Sequence, residues 1–309
     1  MHEEAKGHDT GKHLLGPHVV GQRVVIRSLV RGETGPSGGP ALTDVLGTCE
    51  SWADGEVVVA RDDGSGRRVR IAVTDIVSGK PVPPRPSVRL RVTPREAQLR
   101  ATGMWPDLAT EPLGDWLLRA GTACVRRTSS ALAMGDPQMP VAEAAERVVS
   151  YAREHDLPPV AMVEVGDDVE RDLVGLGWVA DRADEAPVWF QLASVSRALR
   201  ALRGIGRPEV EVELVEDGTQ VTARIGAQAT ARAAYGDDWV GIHALEVDAA
   251  HRRQGLGRAL VAALLDWGAE RGATTAYVQV RTDNEASERL FAQLGFVTHH
   301  TYRYLRPST

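Results

Sequence analysis

The stretch HRRQGLGRALVAALLDW, residues 251–267, decides how the rest of the chain is read. Three arginines and two glycines fall within residues 251–258, after which the run turns apolar. Leu256, Leu260, Leu264 and Trp267 recur at helical spacing, so a helix with one buried face begins at the second half of this segment. Glycines ahead of a helix let the backbone approach a ligand closely. The first helical turn offers N–H groups without intrahelical partners and a partial positive charge, so the natural guest is an anion.

Two familiar glycine loops do not fit. A P-loop needs a lysine followed by Ser or Thr after the glycines, and Arg258-Ala259 supplies neither. A dinucleotide fingerprint needs a third glycine where this chain has Leu260. It also needs an acidic residue ending the next strand, which here reads YVQVR.

Around the loop the pattern alternates strands and helices. EVEVELVEDGTQVTARI and ATARAAYGDDWVGIHALEV read as strands and turns, TTAYVQV as a strand, NEASERLFAQLGF as a helix and HHTYRYL as a last strand. An earlier region has the same grammar. It runs from a helix at PREAQLRATGMW through strands at GDWLLRA and TACVRR to the amphipathic helix PVAEAAERVVSYAREHD. The strand PVAMVEV, the helix DDVERDLVGLGW, the strand APVWFQLA and the helix RALRALRGIGRPEV follow. The two parts repeat: residues 163–178 parallel residues 278–296, but AMGDPQMPVAEAA stands where the later copy has RRQGLGRALVAA. The first copy therefore lacks the glycine turn and its arginines.

Further upstream, QRVVIRSLV, DVLGTCESW, GEVVVARDD and RRVRIAVTDIV are short β-rich runs separated by turn chemistry. About five strands in residues 19–86 predict a small β-barrel. SGKPVPPRPS closes it as a proline-stiffened linker. Residues 1–18 are polar and read as a disordered tail, and their histidines, His2, His8, His13 and His18, as solvated. The divisions predicted are thus 1–18, 19–86, 87–205 and 206–309, in an α+β chain.

Composition sets bounds. The 309 residues are 43% hydrophobic and 25% charged, the balance of a soluble globular protein. Arginine displaces lysine almost entirely, leaving Lys6, Lys12 and Lys80, which reads as coding bias. A net charge of −6 argues against nucleic-acid binding by the chain as a whole. Cys49 and Cys124 fall in different predicted domains, so a reducing compartment is expected. Without an apolar leader or membrane-length run, a cytoplasmic protein is predicted. No metal site is expected, since adjacent strand residues such as His299 and His300 point to opposite faces.

RRQGLG, residues 252–257, preceded by LEVD and followed by a helix, a strand and DNEASERLFAQLGF, resembles the Arg/Gln-x-x-Gly-x-Gly motif of the GNAT acetyltransferases. WVGIHALEVDAAHRRQGLG, VQVRTDN, HHTYRYLR and PLGDWLLRAGTACVRRTSSALAMGDP further resemble an actinobacterial, histone-acetyltransferase-like subfamily. Its members carry Arg-Ala-Asn-Ser where this chain has Arg127-Thr128-Ser129-Ser130. The resemblance implies an SH3-like barrel ahead of tandem GNAT folds, the first of them degenerate. It also implies acetyl-CoA as cosubstrate and an amine acceptor, either a lysine of a basic, histone-like protein or a small molecule. The barrel is either a recruitment module or a packing module, and the oligomeric state, a homodimer among the possibilities, is left open.

The resemblance also assigns residues. The backbone from Arg252 and Arg253 through Gln254, Gly255, Leu256 and Gly257 to Arg258 is expected to cup the pyrophosphate. The backbone of Leu245, Glu246 and Val247 is expected to pair with the pantetheine arm, and Asn284 matches an asparagine that contacts the cofactor; it also suits a helix N-cap. Glu246 and His243 are the candidate bases; three apart on a strand, they are predicted to face opposite ways unless a bulge intervenes. Many relatives use as acid a tyrosine in the asparagine helix, which is here Phe291, and some use a glutamate where this chain has Gln279. Tyr302 and Tyr304, sharing a face with His300, become the candidates for returning a proton to the thiolate. Loss of both usual groups also leaves open a non-catalytic acyl-CoA sensor.

Overall fold

A computed structural model describes residues 15–35, 38–62, 67–82, 88–122, 125–205 and 208–308. His2, His8, His13, Cys124 and residues 83–87 of the linker lie outside the described residues. The chain divides into two compact units, Met1–Pro86 and Ser87–Thr309. Among the described residues no helix is long and apolar enough to cross a membrane.

The first unit has five antiparallel strands, β1 (Arg23–Thr34), β2 (Pro40–Ala53), β3 (Glu56–Arg61), β4 (Arg68–Ala72) and β5 (Ile76–Pro81), in the order β4-β3-β2-β1-β5. Alternating residues Val24, Ile26, Val45, Val57 and Val59 make its core, together with the Cys49 thiol, whose pKa burial pushes up. Leu15 and Val19 are buried in the same core, so the residues just before β1 are packed where a solvated tail through residue 18 was expected.

The second unit opens with α1 (Pro94–Gly103), β6 (Leu108–Leu113), β7 (Trp116–Gly121) and β8 (Ala131–Leu132). Then come α2 (Val141–Glu154), β9 (Ala161–Glu164), α3 (Asp168–Gly175), β10 (Trp178–Ala180), β11 (Val188–Ser194) and α4 (Val195–Ile205). The remainder is β12 (Glu213–Asp217), β13 (Gln220–Ile225), β14 (Ala229–Gly236), β15 (Trp239–Val247), α5 (Leu256–Glu270), β16 (Thr275–Arg281), α6 (Glu285–Gln293) and β17 (Val297–Pro307). TACVRR, predicted as a strand, is not one in its described part: Thr122, Arg126 and Arg127 lie in turns.

All these strands join one sheet, ordered β12-β13-β14-β15-β16-β11-β17-β9-β8-β7-β6, with β10 on β17. The sequence repeat is visible as two parallel pairs, β8–β9 joined through α2 and β15–β16 joined through α5. The last strands are exchanged. β11, from the first half, pairs with β16 of the second, β17 pairs with β9 of the first, and β11 and β17 pair with each other.

Side-chain alternation sorts the core into layers. Ala276, Val278 and Val280 of β16 meet α4, α5 and α6 on one face. Tyr277 faces the other way, into a cluster with Phe190, Trp239, Tyr302, Tyr304 and α1. Helix α5 is buried almost all round, Leu256, Leu260, Leu264 and Trp267 included, because it lies between the sheet and α4. Trp239, Tyr277 and Phe190 fill the opposite face; Gly241 is required there, since a Cβ would lie 2.2 Å from the Tyr277 ring.

Candidate active site

Strands β15 and β16 are paired only from Trp239–Thr275 to Ile242–Val278, although both continue. Beyond Ile242 they part, and the edge of β15 is left without a ladder partner among the described residues. On its other side β15 stays paired with β14, but Thr230 opposes Glu246 and Arg232 opposes His243, so β15 carries one residue more. Ala244, at φ 50°, marks the bulge. Leu245 and Val247 pack on the α5 side of the sheet with Val240 and Ile242. His243 and Glu246 consequently share the opposite face. This is the bulge that the alternation rule allowed for, and the extra residue is what brings the two onto one face.

After β15 the chain makes one 3-10 turn, Ala249–His251, and enters the glycine loop. Arg253 (φ 61°) and Gly255 (φ 84°) are both left-handed, and no side chain caps α5. Among the described residues, neither a carbonyl nor a side chain accepts from the N–H groups of Arg253 through Arg258. The side chains of Arg252 and Gln254 brace the loop instead, donating to Val247 O (3.2 Å) and Ala250 O (3.3 Å).

The equivalent loop of the first repeat binds two of its own amides with carboxylates. Asp115 Oδ2 accepts from Asp136 N (3.0 Å), Asp136 Oδ1 accepts from Gln138 N (2.7 Å), and Pro137 and Pro140 have no N–H to offer.

Asn284 is the N-cap of α6, its Oδ1 accepting from Ser287 N at 3.1 Å; its side-chain amide keeps its donors. Phe291 is buried edge-on against Phe296, a core residue.

The face opposite α5 gathers polar groups at the point of divergence. The His243 ring leans on Trp105 (5.1 Å between centroids). Tyr302, fully buried, donates to Gln279 Oε1. Tyr304 is also buried and lies under the Arg126 guanidinium (4.4 Å). Arg127, which the sequence reading did not single out as a site residue, reaches Gln279 O at 3.4 Å. Glu246 is exposed at the rim.

His299 and His300 do not diverge as predicted. β17 slips by one residue against β11 between Thr298 and His300, and the rings meet through Nδ1 at 2.8 Å. His299 Nε2 donates to Val92 O (2.8 Å), so its Nδ1 accepts from His300 Nδ1. His300 Nε2 then accepts from the Gln98 amide (3.0 Å). This chain ties α1 to the sheet. No group of three metal-ligating side chains occurs among the described residues.

Burial, with the neighbouring His299, pushes the His300 pKa down to about 3; burial, with Arg127 and Arg232, lowers that of His243 to about 4. Both histidines are neutral when folded at pH 7 and regain an ordinary value near 6.5 on unfolding. The unfolded chain thus binds more protons between those values. Their contribution to stability is complete above about pH 6.5 and is lost as pH falls through about 4 and 3. Urea midpoints are expected to fall on acidification from pH 6.5, with a shallower slope in His300→Gln.

The splayed parallel strands, the bulged β15 and the glycine loop ahead of α5 define a GNAT-type N-acetyltransferase. Residues 93–305 match the family model described as "Probable histone acetyltransferase Rv0428c C-terminal", and the chain belongs to that family. It is 29% identical to the "Probable histone acetyltransferase Rv0428c" of Mycobacterium tuberculosis over 283 residues, 86% of this chain and 89% of that one. A 65-residue portion, 21% of this chain and 44% of the other, is 40% identical to the "[Ribosomal protein bS18]-alanine N-acetyltransferase" of Escherichia coli K12. A GCN5-related N-acetyltransferase from Kribbella flavida shares the fold, with a TM-score of 0.52 at 19% identity over 69% of this chain and 96% of that one.

Proposed function

We propose that the cleft between β15 and β16 binds acetyl-CoA and that the protein acetylates a primary amine in the cytoplasm. The observation that carries this is the run of unpaired amides from Arg253 to Arg258 beside a cleft of the right chemistry. A helix start alone is worth about 0.3–1 kcal/mol to an anion, so a diphosphate needs the whole loop of charge-assisted donors. Arg253 and Arg258 add charge. The free edge of β15 at Leu245, Glu246 and Val247 offers backbone groups to the pantetheine amides, and an N–H there, of Leu245 or Glu246, polarises the thioester carbonyl. The Asn284 amide is placed for a further contact. Acetyl-CoA supplies the acyl group in activated form.

The attacking amine must be neutral. For a lysine of pKa ~10.4 that costs about 4–5 kcal/mol at pH 7. Glu246 and His243, on one face, are placed to take the proton directly or through water. Tyr302, whose hydroxyl donates to Gln279 Oε1, and Tyr304 are the candidates for returning a proton to the thiolate. The first repeat, which lacks the arginines of the glycine loop and carries Asp136 there instead, holds up the sheet without a second cofactor. The histone in the mycobacterial relative's description supports a protein lysine as acceptor, whereas the enclosed polar corner beside His243 favours a small amine.

Glu246→Gln is expected to lower kcat about 100-fold while leaving CoA affinity unchanged, measured by thiol release and calorimetry. Tight CoA binding with no thiol released by any amine would overturn catalysis in favour of a sensor.

A further inference from the structure

Resting on the acetyl-transfer reading above, we infer that the acceptor is an amine that also carries an anionic group, a carboxylate in the simplest case, received by Arg127. Gln279, whose carbonyl Arg127 touches, is the first residue of β16 beyond its last pair with β15. His243, which feels the Arg127 charge, is the first such residue of β15. The guanidinium therefore stands at the apex of the cleft, on the face where Glu246 and His243 would meet an amine.

Among the described residues no carboxylate pairs with Arg127, and its electrostatic neighbours are Tyr302, Tyr304 and Tyr277. The adjacent arginine shows the contrast: Arg126 is bound by Asp181 (3.0 Å) and Glu185 (2.5 Å). A guanidinium has five N–H donors, and here one long bond to a carbonyl is the hydrogen bond it makes besides its contact with Tyr302. A half-buried guanidinium that faces no carboxylate is complemented by a ligand carboxylate with two oxygens.

The mount is rigid. Thr128 Oγ1 donates to Val125 O (3.0 Å), Ser129 Oγ to Gly121 O (3.3 Å) and Ser130 Oγ to Arg126 O (2.6 Å). Beneath them the buried Arg119 grips Ser130 O (3.0 Å), Ser130 Oγ (2.9 Å) and Thr102 Oγ1 (2.9 Å). Thr128 and Ser129, which depart from the subfamily's pattern, and Ser130, which keeps it, together brace the turn that carries Arg127. A second fixed cation, Arg119, adds positive potential that opposes a lysine flanked by other basic residues.

The full-length protein tests this with acetyl-CoA and paired acceptors: α-amino acids, their α-amides, and a lysine-containing basic peptide, followed by thiol release. Calorimetry with CoA runs first; failure to bind it removes the transferase reading itself, and the inference with it. Given binding, the acids are expected to exceed the amides at least about 100-fold in kcat/KM, mostly through KM. Arg127→Gln should erase that preference by raising the KM of the acids to that of the amides, and Arg127→Lys should retain part of it. Equal or better use of amides or peptide, or no acid acetylated, overturns the inference. So does a folded Arg127→Gln that keeps the preference. If that variant does not fold, the wild-type comparison decides alone.

Discussion

Gly255→Asp should raise the Kd for CoA at least about 100-fold while the protein stays folded. Position 255 is left-handed, a conformation that aspartate accepts better than most side chains. A Cβ there comes within 2.9 Å of Pro208 Cδ, which calls for a small shift at the surface and not a rearranged core. The added carboxylate would stand among the unpaired amides of Arg253 to Arg258 and compete for them, as Asp115 takes the N–H of Asp136 and Asp136 that of Gln138 in the first repeat. A 100-fold loss is about 2.7 kcal/mol, no more than one or two hydrogen bonds to a charged group. Gly255→Asn makes the same backbone demand without the charge and should lose less than about tenfold. Calorimetry with CoA on both variants, alongside their melting temperatures, separates charge from strain; native affinity in Gly255→Asp would remove the loop from the site.

What could be read from the chain was local. Helix α5 and its loop were legible because glycine, arginine and leucine spacing within a few residues determines them. The bulge at Ala244 was not, because an extra residue exists only relative to the partner strand β14. The contact between His299 and His300 was hidden for the same reason, in the register of β17 against β11. Arg127 was masked by alternation: TACVRR reads as a strand until the hydroxyls of Thr128, Ser129 and Ser130 are seen turning the chain. Those three adjacent hydroxyls were the available signal, since such side chains favour local bonds to the backbone over a ladder. The loss of a proton donor at Phe291 was legible, and its packing against Phe296 fits that reading.

The exchange of last strands has the largest consequence for stability. Separately expressed, residues 87–205 would lack β17 and residues 206–309 would lack β11. The first fragment would uncover β9 and the second β16, each an edge in the middle of the native sheet. It would also expose core made by side chains from the other half, such as Phe190 and Leu192 against Tyr277, and Tyr302, Tyr304 and Leu305 against Met162 and Trp178. Removing one such large side chain costs about 2–5 kcal/mol, and a domain has only about 5–15 kcal/mol in hand, so losing a whole strand exceeds it. Each fragment alone should therefore be aggregated or unfolded, the exposed strand edges favouring association. Expressed together, they should recover one soluble complex that melts in a single transition and binds CoA. A cooperatively folded fragment 206–309 that binds CoA by itself would show the exchange to be dispensable. The single transition is the more telling half of the result: it means the repeat that lacks the open glycine loop is still needed to hold β16 against β11, and with it Gln279 and Arg127 at the head of the cleft.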